Sequence, residues 1–286
     1  MHTREEKLEA FGRLLDVMDE LRVKCPWDRK QTNQTLRPNT IEECYELCDA
    51  LLNEDRKNIC KELGDVLLHV VFYAKIGSET QDFDIKDVCD KLCDKLIFRH
   101  PHVFGTDHAN NADEVLVKWE QIKQKEKDGN KTVLSGVPQA LPSLIKSFRV
   151  QEKAANVGFD WEHPEDVWAK VQEEYNELQV ELNALKQQRE ALEAAGVDKK
   201  DERFAAIKLK SEQEFGDLLF SMVNAGRLYK INPDNALERT NQKFIRRFGY
   251  VEQKAKDLGK DLKDLTLGEM DAFWNEAKEL ERKADE

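Results

Sequence analysis

The chain has 286 residues, 40% of them hydrophobic, which is enough for two domains of ordinary size with buried cores. Its formal net charge of -12 argues against bulk nucleic acid as a partner, because binding to a phosphate backbone requires a basic surface. No apolar run reaches the length of a membrane span and the first residues are charged, so we expect a cytoplasmic protein with no membrane segment.

Apolar residues recur at helical spacing through most of the chain, whereas the alternation typical of strands is hard to find. In the first half, apolar stripes cover residues 11–21 and 47–71. In the second half they cover residues 171–182 and 215–223. The sequence therefore predicts an all-α protein.

All six cysteines lie in the first half, which is unlike a secreted disulfide framework. The spacing of Cys44 and Cys48, and of Cys89 and Cys93, would suit zinc ligands on a helix. No matching His or Cys pair lies at zinc-finger spacing, however. We therefore expect free cysteines that pack as small hydrophobic residues.

Residues 129–142 are the one stretch with the composition of a linker, because Gly, Ser and Pro interrupt the helical pattern there. They divide the chain into an N-terminal half, residues 1–128, and a C-terminal half, residues 143–286. The halves carry similar motifs in the same order, and we interpret them as an internal repeat. The second half has an additional, highly charged stretch near residues 183–206, which we expect to lengthen a pair of helices and to protrude.

Each half contains two pairs of acidic residues inside apolar segments of helical length. Residues three apart share one face of a helix, so each pair would project two carboxylates to the same side. Two such helices packed antiparallel would bring four carboxylates together, and four carboxylates in contact cannot all stay ionised without a cation. The first set is Glu43, Glu46, Glu62 and Asp65, and the second is Glu174, Glu177, Glu214 and Asp217.

Hard carboxylate oxygens favour Mg²⁺, with Mn²⁺ as a substitute, over zinc. A di-iron bundle is disfavoured because it needs Glu-x-x-His on two helices, and the corresponding positions here are all acidic. The alternative to a metal site is an ordinary charged helix exterior. The apolar neighbours Leu63 and Leu67, and the recurrence of the pattern in the second half, argue against that alternative.

A basic pair follows the acidic residues in each half. Lys243 and Arg247 lie four apart on a predicted amphipathic helix, and Lys95 and Arg99 repeat the spacing in the first half. Cations beside a carboxylate–metal cluster suit a polyphosphate, because the metal neutralises some oxygens and the cations bind the others.

The last motif of each half contains a tryptophan, Trp119 in the first half and Trp274 in the second. Its ring face could stack on a base, although a lone tryptophan on a helix is more often a core residue. The segment from Cys25 to Asp28 is typical of a turn, since Pro26 ends the preceding helix. We interpret it as structural or as flanking the substrate.

Together these motifs resemble the MazG family, nucleoside triphosphate pyrophosphohydrolases of the all-α NTP-pyrophosphatase superfamily. The resemblance covers nearly the whole chain and implies a homodimer of tandem four-helix modules. It also implies Mg²⁺-dependent hydrolysis of NTPs and dNTPs to the monophosphate and pyrophosphate. Besides the acidic pairs, it rests on C-P-W-D at 25–28, R-H-P-H-V-F at 99–104, K-W-E-Q-I-K at 118–123, N-V-G-F-D-W at 156–161 and K-F-I-R-R-F at 243–248.

The resemblance also implies the site residues and assigns catalysis to the second half. By that resemblance Glu174, Glu177, Glu214 and Asp217 would bind the metal, and we expect a neighbouring carboxylate, Glu173 or Glu174, to help deprotonate the attacking water. The nucleotide would contact Lys170, Lys210, Lys243, Arg246, Arg247 and Trp274, whose N-terminal counterparts include Lys95, Arg99 and Trp119. Phe98 replaces the counterpart of Arg246, which weakens the first basic row. The alternative function is a helical partner-binding protein whose acidic clusters are vestigial or structural.

Overall fold

In a computed structural model, the protein is described over residues 1–108, 111, 114–115, 118, 122, 132–197 and 202–285. The predicted all-α class is confirmed, since the described residues form helices, turns and loops without a strand. The chain divides into two compact units, Met1–Ile122 and Lys123–Glu286. The predicted domain and linker boundaries at 128/129 and 142/143 stay a prediction.

Among its described residues, the first unit contains four long α-helices and one short one, and the long helices pack around Met18, Leu36, Val71 and Phe72. The second and third long helices, α2 and α3, pack against each other, and α1 packs on α3. The helices are α1 (Arg4–Lys24), α2 (Asn33–Leu52), α3 (Arg56–Glu79), α4 (Ile85–Arg99) and α5 (Pro101–Phe104).

A tight turn between α2 and α3 makes these helices antiparallel neighbours. Glu54 adopts a positive φ of 53°, and Asp55 then caps α3 by accepting hydrogen bonds from the backbone N–H groups of Lys57 and Asn58. A cap of this kind stabilises a helix by about 1 kcal/mol. The turn therefore fixes the register in which the acidic residues of α2 face those of α3.

Among its described residues, the second unit contains five α-helices in a similar order. The helix pair α7 and α8 packs together, α6 packs on α8, and α9 packs on α10. The expected lengthening is confirmed, since α7 and α8 have 28 and 27 residues against 20 and 24 in α2 and α3. The helices are α6 (Ser143–Ala155), α7 (Val167–Ala194), α8 (Glu202–Leu228), α9 (Pro233–Asp257) and α10 (Leu267–Asp285).

The cysteines are free thiols, as expected, but the expectation that they pack as core residues is wrong for five of them. Cys25 is half-buried, whereas Cys44, Cys48, Cys60, Cys89 and Cys93 are exposed. Helical periodicity shows that a helix has apolar stripes, but it does not show which stripe faces the core. The five exposed cysteines lie outside the core-facing stripe of their helices.

None of the described helices combines the length and the apolarity that a membrane span requires. The cytoplasmic location expected from the sequence stays a prediction.

Candidate metal and nucleotide site

The second unit brings three of the four predicted carboxylates together. Glu174 and Glu177 on α7 and Glu214 on α8 each place one carboxylate oxygen within 4.8 Å of the others. We call these three residues the second acidic cluster. The fourth predicted ligand, Asp217, lies outside this distance, but its negative charge still acts on Glu214.

The electrostatics of the second acidic cluster favour a bound cation. The pKa of Glu214 is raised by partial desolvation and then by the negative charges of Glu177, Asp217 and Glu174. Glu174 is only 7% exposed. Because a cation competes with protons for the same oxygens, a carboxylate held at this raised pKa is stabilised when a metal binds.

One lysine compensates part of this charge. The Nζ atom of Lys170 lies 2.6 Å from Glu174 and 3.1 Å from Glu173, and hydrogen bonds to these two carboxylates raise the pKa of Lys170. The predicted phosphate ligand therefore binds the acidic residues of its own helix. Glu173, the other predicted catalytic carboxylate, is exposed and lies beside the cluster.

The first unit forms a corresponding group, the first acidic cluster. Glu43 on α2 and Glu62 and Asp65 on α3 place one carboxylate oxygen each within 4.8 Å of the others, whereas Glu46 lies outside. Glu62 is 6% exposed, and its Oε2 atom is buried without a hydrogen-bond partner among the described residues. An unpaired buried carboxylate oxygen is costly, and a cation would satisfy it.

The first acidic cluster contains a lysine that the sequence reasoning missed. The Nζ atom of Lys61 lies 2.8 Å from Glu62, 3.4 Å from Asp65 and 3.9 Å from Glu46. The hydrogen bond to Glu62 is the largest cause of the raised pKa of Lys61. The spacing of four residues between Lys61 and Asp65 was the signal that could have identified it.

The basic row of the second unit lies on α9 and faces α10. Arg247 donates from Nε to Glu281 at 2.7 Å, and the Nε atom of Arg246 lies 3.5 Å from the same carboxylate. The hydrogen bond from Arg247 is the largest cause of the lowered pKa of Glu281. Within the part of the chain that the structure describes, no ion pair joins this row to the second acidic cluster.

Trp274 packs into the same α9–α10 contact. The guanidinium of Arg247 lies over its ring at 5.7 Å, and the ring of Phe244 is 5.0 Å away between centroids. Trp274 is therefore a half-buried member of an aromatic and cationic group rather than an isolated ring. Lys243 on α9 and Lys210 on α8 are exposed and are therefore accessible to a phosphate.

The N-terminal counterparts are described only in part. Lys95 is exposed on α4, and Arg99 is half-buried at the end of that helix. Trp119 lies outside the described residues.

Comparison with known proteins decides the family. The sequence profile described as the MazG nucleotide pyrophosphohydrolase domain matches residues 31–104. The nucleoside triphosphate pyrophosphohydrolase of Escherichia coli K12 is 40% identical over 279 residues, which cover 96% of this chain and 99% of that protein. This chain belongs to the MazG family. The resemblance inferred from the motifs is thereby confirmed.

Two further relatives extend the comparison. The nucleoside triphosphate pyrophosphohydrolase/pyrophosphatase MazG of Thermotoga maritima is 40% identical over 271 residues, or 94% of this chain and 95% of that protein. The protein YabN of Bacillus subtilis is 43% identical over 286 residues, or 98% of this chain but only 54% of its own length. The MazG profile lies within the first unit and includes its acidic cluster.

Proposed function

We propose that this MazG chain is a nucleoside triphosphate pyrophosphohydrolase, which hydrolyses NTPs and dNTPs at the α–β bridge to the monophosphate and pyrophosphate. One observation carries the proposal. Carboxylates converge from two neighbouring helices, twice, in a chain that aligns almost end to end with proteins of that name.

Mg²⁺ is the proposed cofactor, with Mn²⁺ as a substitute, because the donors of both clusters are carboxylate oxygens. The residues fit such an ion: Glu62 has a buried oxygen without a hydrogen-bond partner among the described residues, and Glu214 lies among four further acidic residues. Glu174, Glu177 and Glu214 would hold the metal in the second unit, with Asp217 as a nearby fourth ligand. Glu43, Glu62 and Asp65 would hold it in the first, with Glu46 in the fourth position.

When bound, Mg²⁺ neutralises phosphate charge and polarises the phosphorus that is attacked. The chain supplies the proton transfer: Glu173, exposed beside the cluster, accepts a proton from the attacking water. The water oxygen forms a bond to phosphorus, the bridging P–O bond breaks, and pyrophosphate leaves with the bridging electron pair.

The exposed lysines bind the charge that develops on the leaving pyrophosphate. Lys210 lies about 6 Å from Glu214 along α8, at one helical turn, and Lys243 extends from α9. Arg247 also binds the pyrophosphate only if a phosphate oxygen replaces Glu281 as its hydrogen-bond partner. The arginine is held in position by Trp274 during that exchange.

A homodimer is part of the proposal. On α3, the residues Leu63, Leu67 and Val70 are exposed although apolar, and their counterparts on α8 are exposed as well: Phe215, Leu219 and Met222. Exposed apolar stripes on both central helices are typical of faces that a second helix covers. Sedimentation at micromolar concentration should give a dimer of the 33.2 kDa chain, and a stable monomer would overturn this part.

Pyrophosphate release from a mixture of the four NTPs tests the proposed activity. The full chain should release pyrophosphate and nucleoside monophosphates in equal amounts, with Mg²⁺ and not with EDTA. Release of orthophosphate would indicate cleavage at a different bond. No product of either kind would leave the alternative, a partner-binding protein, as the better interpretation.

A further inference from the structure

Five of the six cysteines are exposed, although free cysteine is among the residue types most often buried. Four of them form two pairs with a spacing of four residues, Cys44 with Cys48 on α2 and Cys89 with Cys93 on α4. An exposed thiol adds little to packing and is accessible to reagents. Neither acidic cluster contains a cysteine, so the proposed hydrolysis does not account for the two pairs.

Helix geometry brings the two thiols of each pair to the same face. Residues four apart in an α-helix have Cβ atoms about 5 to 6 Å from each other. Helical side chains also lean toward the N-terminus, so Cys48 leans over Cys44 and Cys93 leans over Cys89. Each pair therefore presents two sulfur atoms side by side on an exposed helix surface.

The helices that carry the pairs are stabilised at their first turns. Thr32 and Thr35 form a capping box at the start of α2, and Asp84 and Asp87 form one at the start of α4. A capping box satisfies backbone N–H groups that have no partner within the helix. Because the helix sets the spacing of the thiols before any ligand arrives, chelation has to order only the cysteine side chains.

The type and number of ligands decide which ion such a pair can hold. Thiolates select soft ions, whereas Mg²⁺ and Ca²⁺ take oxygen ligands. Structural zinc needs four ligands, and among the described residues no cysteine belongs to a convergent group of three or more potential ligands. Cu(I) and trivalent arsenic are satisfied by two thiolates. We propose that each pair chelates one soft ion through its two thiolates, with Cu(I) and trivalent arsenic as the candidate ions.

The second unit repeats the acidic pattern but not the thiols. Tyr175 and Gln179 occupy the positions of the pair on α2, and Leu237 and Asn241 occupy those of the pair on α4. The thiol pairs are therefore separate from the repeated motifs, and binding of a soft ion at them is a property of the first unit alone.

Phenylarsine oxide tests whether the thiols converge, because it is held tightly only where two thiols reach one arsenic atom. Two As–S bonds form, water leaves with the oxygen and the two thiol protons, and no electron is transferred. Intact-mass spectrometry of the reduced full chain should count one arsenical for each pair. Cys48→Ser and Cys93→Ser should each lose one. Cys60→Ser, exposed on α3 with no second cysteine four residues away, is the matched control and should lose none.

Copper(I) is the second arm of the experiment. Anaerobic competition with a coloured Cu(I) chelator measures how many ions the wild type takes and how tightly. In Cys48→Ser and Cys93→Ser the affinity of the altered pair should fall more than about a hundredfold, because the second thiolate no longer acts at a high effective concentration. Binding of only one of the two ions by the wild type would assign the pairs to that ion.

Each pair can be refuted separately. A pair whose serine variant still binds as many ions as the wild type is not a site. Loss of an ion in Cys60→Ser would mean that thiols pair between α2 and α3, and it would overturn the assignment on α2. Binding of neither ion by the wild type would overturn the proposal as a whole. Circular dichroism should show unchanged helical content in every variant, since all three substituted cysteines are exposed.

Discussion

The two acidic clusters use the same residue pattern but neutralise it differently. In the first, Lys61 on α3 lies beside three carboxylates, Glu46, Glu62 and Asp65. In the second, Lys170 on α7 binds Glu173 and Glu174 at the edge of the cluster. A repeated motif therefore fixes where the ligands are, whereas a single neighbouring lysine decides how much charge is left for a metal.

Neither lysine is repeated at the corresponding position of the other unit. Gln213 occupies the counterpart of Lys61, directly before the Glu-x-x-Asp motif, and Asn39 occupies the counterpart of Lys170. The second cluster consequently keeps Glu177 and Glu214 without a lysine partner in the described residues. We expect it to bind Mg²⁺ more tightly than the first, although the family profile itself lies in the first unit.

Removing one ligand from each cluster should produce the largest difference between them. Glu214→Gln deletes a charge at nearly constant volume, and we expect Mg²⁺-dependent pyrophosphate release to fall more than about a hundredfold, beyond the loss typical of groups that only support a ligand. Glu62→Gln is the matched change in the first unit and should leave most of the activity.

Steady-state kinetics of the two variants, with helical content checked by circular dichroism, would settle the assignment. Full activity in Glu214→Gln would show that the second cluster is not the catalytic metal site. A larger loss in Glu62→Gln would move catalysis into the first unit.

The next largest difference between the two units is expected when an arginine is removed from each basic row. Losing one charge-assisted phosphate contact costs about 1.5 to 3 kcal/mol, so Arg247→Ala should lower kcat/KM roughly tenfold to over a hundredfold. Arg99→Ala, the counterpart in the first unit, should change kcat/KM little. Because Glu281 binds Arg247 in the structure, Glu281→Gln should raise the affinity for triphosphate slightly.

Equal losses from Arg247→Ala and Arg99→Ala would show that both units take part in turnover. A normal kcat/KM in Arg247→Ala together with a loss in Lys243→Ala would mean that Arg247 stays with Glu281 and that Lys243 is the phosphate ligand.

A smaller effect is expected from Lys61, which we expect to weaken Mg²⁺ binding at the first acidic cluster. Lys61→Gln gives the first unit the residue that the second has at this position, Gln213, and we expect Mg²⁺ to bind the first cluster roughly fivefold more tightly, a modest gain because the lysine is exposed to solvent. Lys57→Gln makes the same charge change on the exposed first turn of α3 and serves as the control.

Calorimetric titration of Mg²⁺, in a Glu177→Gln and Glu214→Gln background that weakens the second site, would isolate this effect. Equal affinities for Lys61→Gln and Lys57→Gln would mean that Lys61 does not compete with the metal.

Much of this architecture could be predicted from local sequence. A period of 3.6 residues identifies amphipathic helices, and spacing of three residues places acidic pairs on one face, so the helices and the facing acidic clusters were both expected. The lengthening of α7 and α8 followed from composition alone.

The missed features depend on side-chain rotamers and on contacts distant in sequence. Which acidic residue stays outside each trio, Glu46 in one and Asp217 in the other, depends on rotamers that spacing does not encode. The Arg247–Glu281 pair joins different helices, and the cavity lined by Val150, Trp161 and Phe220 forms only where three segments of the chain meet. Neither leaves a periodic signal in the sequence.

The smallest predicted effect concerns pH. The pKa of Glu214 is raised by desolvation and by its acidic neighbours, so without metal the folded protein holds this proton at a pH where the unfolded chain has already released it. Stability contributed by Glu214 is therefore greatest at a pH below the ordinary carboxyl pKa and is lost as the pH rises to the raised value. In EDTA, the free energy of unfolding of the wild type should fall relative to that of Glu214→Gln across this range, because glutamine does not titrate.

Saturating Mg²⁺ should remove this fall in the free energy of unfolding, since the cation stabilises the ionised carboxylate. Urea unfolding of both proteins at several pH values, with and without Mg²⁺, measures the difference directly. Parallel pH profiles in EDTA would show that the acidic neighbours of Glu214 do not disfavour its ionised form.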